Sequence, residues 1–214
     1  MPTLAMTEVH ATLARQGAAP AHHMRLDALH ALCERSPHCL ALVLVGSFAQ
    51  GLGDRISDLD LVAFVDGQRE AEFAHEADAL IGREGVLNSY GQAQPGRFAF
   101  RKTVYLDFSS CEFHAFHPSV PFRLRRPYLA LWDPHDHLRR LEVDEPPPPH
   151  ETFEPYPHGD EGLVWELVDC IKWLQRGRTE LAKRYLCTLG LKLASSPAPA
   201  AGPVPAALDR LKRP

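Results

Sequence analysis

A pair of aspartates at the start of an apolar run is the clearest chemical feature of the sequence. Asp58 and Asp60 begin a strand predicted over residues 58–65, whose apolar run is Leu61 to Val65. Successive side chains of a strand point to opposite faces, so the two carboxylates share one face. Neighbouring carboxylates repel each other, and the simplest counter-ion is a divalent cation with hard oxygen ligands, most often Mg²⁺. The spacing therefore predicts a magnesium site here.

A Gly-Ser pair lies upstream of the aspartates, at the end of another apolar run. Residues 40–45 (LALVLV) predict a buried strand, and Gly46 and Ser47 follow it directly. A glycine lets the backbone approach a phosphate closely, and amides at the start of a following helix favour anions. The pair is therefore a candidate for binding nucleotide phosphates, with Ser47 adding a hydroxyl donor. A helix cap is the alternative role of Ser47.

A site with two magnesium ions calls for a third carboxylate on an adjacent strand, because the ions lie about 3.5–4 Å apart. Two residues are candidates. Glu112 lies on a strand predicted over residues 111–116, whereas Asp107 lies near the end of a strand predicted over residues 97–108. A hairpin at Ser109-Ser110 is expected to join these strands, but no Asn-Gly signature defines its turn type.

The order of these residues resembles that of the polymerase-β type of nucleotidyltransferases, including the aminoglycoside and lincosamide nucleotidyltransferases. That superfamily has Gly-Ser at the end of a first strand and, after a short loop, an acidic-apolar-acidic triplet on a second strand. The matching residues are Gly46, Ser47, Asp58 and Asp60. By order of elements the resemblance covers about residues 26–116.

The resemblance also bears on the third acid. Residues 111–114 (CEFH) are similar to the acid-apolar-His pattern of the lincosamide-type members, with Glu112 in place of the commoner aspartate. It thus favours Glu112 over Asp107. The resemblance implies that Asp58, Asp60 and Glu112 are the catalytic residues and hold Mg²⁺, with two ions expected.

An enzyme of this type moves a nucleoside monophosphate, here AMP from ATP, to a hydroxyl group and releases pyrophosphate. A nucleoside triphosphate is therefore the expected co-substrate, and the expected acceptor is a small molecule such as an antibiotic. Two alternatives stay open. One is a toxin-type enzyme acting on protein or tRNA, and the other is a catalytically silent nucleotide-binding or interaction protein with the same fold.

The composition limits the class of protein. A 45% hydrophobic and 23% charged chain of 214 residues is typical of a globular protein, and its formal net charge of −4 gives no support to a general nucleic-acid binder. No apolar run approaches the length that spans a bilayer, so no membrane partner is expected. The absence of paired CxxC cysteines and of a visible secretory signal predicts reduced thiols and a cytoplasmic location.

The pattern of elements predicts an α/β fold, a small mixed β-sheet flanked by helices, followed by a smaller α-helical region. Helices are expected over residues 24–35 and 69–83, and a Gly/Gln/Pro loop over residues 91–96. The predicted domains are residues 1–145, the nucleotidyltransferase domain, and residues 150–195, a helical pair divided at Gly177. A run of four prolines separates them, and residues 196–214 form an Ala/Pro-rich tail. The Arg-rich stretch 122–141 has no firm assignment.

Overall fold

The computed structural model describes residues 3–82, 85–146 and 154–196. The chain divides into two compact units, residues 1–147 and residues 148–214. The predicted fold class is confirmed, because the first unit contains a mixed six-stranded sheet flanked by helices and the second contains helices. Apart from Ser196, the predicted tail lies outside the described residues.

In the first unit, helices and strands alternate only over the first half of the chain, and strands predominate after residue 86. Its helices are α1 (Met6–Arg15), α2 (Pro20–Arg35), α3 (Gly46–Ala49) and α4 (Glu70–Ile81). Its strands are β1 (Cys39–Val45), β2 (Asp58–Val65), β3 (Val86–Gln94), β4 (Phe98–Tyr105), β5 (Ser110–Phe116), β6 (Leu124–Arg125), β7 (Leu129–Trp132) and β8 (Glu142–Val143). A short 3₁₀ helix, Leu138–Arg140, precedes β8.

The main sheet has the strand order β3-β4-β5-β2-β1-β7. All neighbouring strands in it are antiparallel except β2 and β5, which are parallel. The register places Asp60 opposite both Val45 on β1 and Glu112 on β5, and it places Lys102 on β4 opposite Glu112. Because paired residues on neighbouring strands point to the same face, these polar side chains share one face of the sheet. We call it the acidic face.

The opposite face of the sheet is apolar and covered by helices. Leu59 and Leu61 alternate with the aspartates along β2, and both are fully buried in a cluster that includes Leu29 of α2 and Phe73 of α4. The alternation of polar and apolar residues in β2 thus arises because one face packs on helices. On the acidic face, the far end of β2 packs a second apolar cluster around Phe64.

Several predicted elements agree closely with the structure. The predicted strand 58–65 coincides with β2, and the predicted helices 24–35 and 69–83 correspond to α2 and α4. The loop predicted over residues 91–96 is wrong in part, because residues 91–94 belong to β3. This strand lies at the edge of the sheet and is rich in polar residues, so its sequence lacks the apolar signal of a central strand.

The second unit contains α5 (Gly159–Gln175) and α6 (Thr179–Ser195), and Gly177 lies between them, as predicted. Its apolar cluster joins Cys170 and Trp173 of α5 to Ala182 of α6. The buried carboxylate of Glu166 accepts a hydrogen bond from the Tyr185 hydroxyl at 2.9 Å, which also links the two helices. Among the described residues, no helix combines the length and apolar character that crossing a membrane requires.

Candidate active site

Gly46 lies directly against the carboxylate of Asp60. It follows β1 at the point where Val45 pairs with Asp60, and its φ of +70° belongs to the left-handed region that favours glycine. A Cβ atom placed on Gly46 would lie 1.8 Å from Oδ2 of Asp60. Any other residue at this position would therefore displace the Asp60 carboxylate. The structure thus places the Gly-Ser pair beside the aspartate pair.

Ser47 is the second residue of α3, which begins directly after β1. The N-cap of this helix is Val45, and no side chain caps it by a hydrogen bond. The alternative role of Ser47 as an N-cap is therefore wrong. Its role as a phosphate ligand stays a prediction.

Gln16, the residue directly after α1, forms hydrogen bonds with α3 and with the loop between α3 and β2. The Gln16 side chain donates a hydrogen bond to the Phe48 carbonyl at 3.0 Å and accepts one from the Gly53 amide at 2.7 Å. At the other end of the loop, the Ser57 hydroxyl donates to Asp54 at 2.9 Å. Sequence reasoning missed Gln16, because no local pattern connects a glutamine directly after the first helix to a segment more than thirty residues later.

Asp58 receives a hydrogen bond from a neighbouring strand. The hydroxyl of Ser110 on β5 donates to Oδ1 of Asp58, and the two residues are in register across the parallel pair. Ser110 is fully buried, so its hydroxyl is held in one environment and orients the Asp58 carboxylate. The sequence identified Ser110 only as part of a hairpin.

Glu112 lies in register with Asp60 on the adjacent strand, and its carboxylate is engaged by two side chains. Lys102 Nζ lies 2.9 Å from Oε2, and the ring nitrogen Nε2 of His114 donates to Oε1 at 2.6 Å. Burial disfavours the charged form of Glu112, but the His114 hydrogen bond and the Lys102 charge outweigh it and lower the pKa to about 2. Glu112 is therefore ionised at neutral pH.

The donor set of the acidic face fits a hard divalent cation. Two carboxylates lie on β2 and a third lies on β5 opposite Asp60, and Mg²⁺ prefers such oxygen ligands. In the described part of the chain, however, no three side chains of the His, Cys, Asp and Glu types are arranged to hold a metal ion together. The Glu112 carboxylate is engaged by Lys102 and His114 instead, so full ligation requires that it change partner.

Asp107, the other candidate for the third acid, is used in the turn between β4 and β5. It accepts hydrogen bonds from the Ser109 amide at 2.9 Å and from the Ser109 hydroxyl at 2.5 Å. Burial opposes its ionisation, but these bonds lower its pKa overall. A turn carboxylate with two local donors has a structural role, which supports Glu112 as the third acid.

A buried basic pair from α2 lies near these acids and was also missed. Arg25 donates to the Ser109 hydroxyl at 2.7 Å and lies over the ring of Tyr105. His22 is fully buried and accepts the Ala19 amide at 3.0 Å, and burial together with the Arg25 charge lowers its pKa to about 4. These residues are neither acids nor part of a motif, so only the packing of α2 on the sheet reveals them.

In the Arg-rich stretch, which had no firm assignment from sequence, arginines pair with acids in or near β8. Arg123 pairs with Glu145, and Arg126 pairs with Glu142, which also accepts a hydrogen bond from Tyr128. These contacts hold the small β6–β8 sheet together. They give the stretch a structural role.

Comparison with known proteins agrees with the geometry. Residues 27–93 match the family model described as "Nucleotidyltransferase domain". This segment contains β1, the Gly46-Ser47 pair and both aspartates of β2. Residues 27–93 are therefore similar to nucleotidyltransferase domains. This match confirms the predicted resemblance to nucleotidyltransferases.

Two solved structures are also similar to part of this chain. One is Cid1, described with RNA terminal uridylyl transferase activity, at 20% identity and a TM-score of 0.34. The other is a cytoplasmic RNA terminal U-transferase at 23% identity and a TM-score of 0.34. Each match covers 51% of this chain but only 34% and 35% of the other chains, respectively. A search of curated proteins gives no match.

Proposed function

We propose that the protein is a Mg²⁺-dependent nucleotidyltransferase that moves AMP from ATP to a hydroxyl group of a small molecule and releases pyrophosphate. One observation carries this proposal. Asp58, Asp60 and Glu112 share one face of two neighbouring strands, and Gly46 lies against Asp60 at the end of β1. The Gly-Ser and Asp-x-Asp motifs of the domain are thereby joined in a single site.

Each residue of the site has a role in this reaction. Asp58, Asp60 and Glu112 would hold magnesium, two ions in the complete site, and Ser110 would keep Asp58 oriented. Bound Mg²⁺ supplies charge neutralisation at the triphosphate and activation of the attacking hydroxyl. The backbone of Gly46 and the hydroxyl of Ser47 would bind phosphate oxygens.

The family resemblance and the net charge support a small-molecule acceptor. A net charge of −4 suits a small, hydroxyl-bearing and cationic compound, such as an aminoglycoside antibiotic, better than a nucleic acid. Nucleotide and acceptor would meet in the cytoplasm. A protein or tRNA acceptor is the competing outcome that the assay below distinguishes.

A pyrophosphate-release assay tests the proposal. The purified protein is incubated with Mg²⁺, each nucleoside triphosphate in turn, and pools of aminoglycosides, lincosamides, tRNA or proteins. We expect release with ATP and a small-molecule pool, and its loss in the double variant D58N/D60N. A matched control is D66N, which changes an aspartate beyond the opposite end of β2 that contacts His38.

Two results would contradict the proposal. Equal activity of the double variant and the wild type would exclude the metal assignment. Binding of ATP without pyrophosphate release in any pool would support a catalytically silent nucleotide-binding protein instead.

A further inference from the structure

Lys102 places a positive charge at the third carboxylate of the proposed metal site. Its Nζ lies 2.9 Å from Oε2 of Glu112, and the two residues are directly opposite each other on β4 and β5. Both side chains are mostly buried, with exposed fractions of 17% for Lys102 and 24% for Glu112. A pair so shielded from water is attracted more strongly than a surface ion pair.

This ion pair and a metal ion compete for the same carboxylate. A Glu112 oxygen that ligates Mg²⁺ gives up its contact with the ammonium group, and the two cations repel each other at such short range. The metal ion must therefore displace Lys102 from Glu112 before the site is complete. His114 bonds the other oxygen of Glu112, so it can keep the side chain oriented during the exchange.

The chemistry of lysine makes such an exchange feasible. Its ammonium group is a compact charge with three donors on a flexible four-carbon stem, so it can change partners without movement of the backbone. A nucleoside triphosphate brings several negative oxygens to the same face. These oxygens are alternative partners for an ammonium group released from Glu112.

We propose that Lys102 is a triphosphate-binding residue that holds Glu112 in the empty site and transfers its contact to the phosphates when Mg²⁺ and nucleotide bind together. This inference rests on the proposed function, because it takes Glu112 as a metal ligand. It makes binding of metal and nucleotide interdependent. Metal alone meets the competing lysine, whereas metal with its nucleotide supplies the lysine with a new partner.

Direct binding measurements test this inference without turnover. Binding of Mn²⁺ is measured from the free-ion EPR signal, first alone and then with a non-hydrolysable ATP analogue. In K102M, we expect Mn²⁺ alone to bind about tenfold more tightly and the Mn²⁺–nucleotide complex about tenfold more weakly than in the wild type. K102R keeps the charge, so its affinity for Mn²⁺ alone should stay close to the wild-type value.

The matched control is R101M. It removes a cation from the adjacent position of β4, which lies on the helix-covered face, and should leave both affinities unchanged. Circular dichroism of each variant verifies that the fold is intact. Unchanged affinities in K102M, or losses of both affinities in a folded K102M, overturn the inference, as does tighter binding of Mn²⁺ alone to K102R.

The double variant D58N/D60N separates this inference from the proposed function. We expect it to lose Mn²⁺ binding whether or not Lys102 is mutated. If it binds Mn²⁺ like the wild type, the metal site itself is misplaced and both proposals are wrong. If it loses binding while K102M shows no change, only the role of Lys102 is wrong.

Discussion

Glu112 in the main sheet and Glu142 in the small β6–β8 sheet each bind one cationic side chain and one further donor. Glu112 contacts Lys102 and His114, whereas Glu142 contacts Arg126 and Tyr128. The pKa of each is lowered to about 2. For Glu142 the largest cause is the Tyr128 hydrogen bond, followed by that from Arg126. For Glu112, the favourable contacts must also overcome burial.

The difference between the two glutamates lies in their partners and surroundings. Glu142 is held by an arginine and a tyrosine, side chains with fixed donor geometry that suit a permanent contact. Glu112 is held by a lysine that can rotate away, and two aspartates lie on the adjacent strand. The pKa values of Glu142 and Glu112 are equally low. We nevertheless infer that the contacts of Glu142 are structural, whereas the contact of Glu112 with Lys102 can be exchanged.

The largest expected effect is the difference in activity between variants of Glu112 and Glu142. In E112Q, one of the proposed anionic metal ligands is lost, and kcat/KM should fall by about 100-fold or more. E142Q is the matched control and should keep activity close to that of the wild type. Initial rates of pyrophosphate release measure both, and equal losses in the two variants would contradict the assigned difference.

The next effect concerns the backbone beside Asp60. In G46A, the added methyl group meets the Asp60 carboxylate and alanine must adopt a positive φ, so we expect a loss of about 2–3 kcal/mol in the free energy of unfolding. Thermal and denaturant unfolding measure it. G17A is the control, because its φ is also positive but nothing lies within 4 Å of the new Cβ. If G46A and G17A lose similar amounts of unfolding free energy, backbone strain alone explains the loss, and the contact with Asp60 contributes nothing.

A smaller effect on stability is expected around Glu142. Y128F removes a hydrogen bond to an ionised group, so it should lower the free energy of unfolding by about 1 kcal/mol without changing the site. Denaturant unfolding at neutral pH measures the change. A large loss of activity with unchanged stability would show that the small sheet is part of the catalytic machinery.

The contribution of Glu142 should also depend on pH. Its folded pKa of about 2 lies below the ordinary value of 4.5, so its contribution is present above pH 4.5 and is lost as the pH falls towards 2. The stability difference between wild type and E142Q should therefore shrink between about pH 6 and about pH 3. Denaturant titrations at several pH values measure this, and a difference independent of pH would contradict the assignment.

The smallest effect is expected at Arg126. Its side chain is 54% exposed, and ion pairs in contact with water contribute little. R126A should therefore change the free energy of unfolding by less than about 0.5 kcal/mol, as measured by denaturant titration. A loss larger than that of Y128F would mean that the arginine, and not the tyrosine, is the main partner of Glu142.

The sequence predicts the parts of the site that depend on local pattern. Asp58 and Asp60 share a face because strand geometry requires it, and the bounds of β2 follow from its apolar run. Gly46 approaches the Asp60 carboxylate, a contact that the sequence did not predict, and its approach to a phosphate stays a prediction.

The contact of Glu112 with Lys102 could not be predicted in the same way. It depends on the register of β4 on β5, which is set by the turn at residues 106–109, and no turn signature fixes this register. A shift of one residue would point Lys102 to the opposite face. The edge strand β3 was missed for a related reason, because its polar side chains carry little information about pairing.

The parallel pairing of β2 and β5 also affects how the protein folds. Asp58 and Ser110 are neighbours in space but 52 residues apart in sequence, whereas β1 and β2 are joined by a short loop. Contacts between distant residues require closure of a long loop and form slowly. We therefore expect Gly46 to reach Asp60 early in folding, together with the β1–β2 pair, and Glu112 to arrive only after α4 and the β3–β4 hairpin are in place.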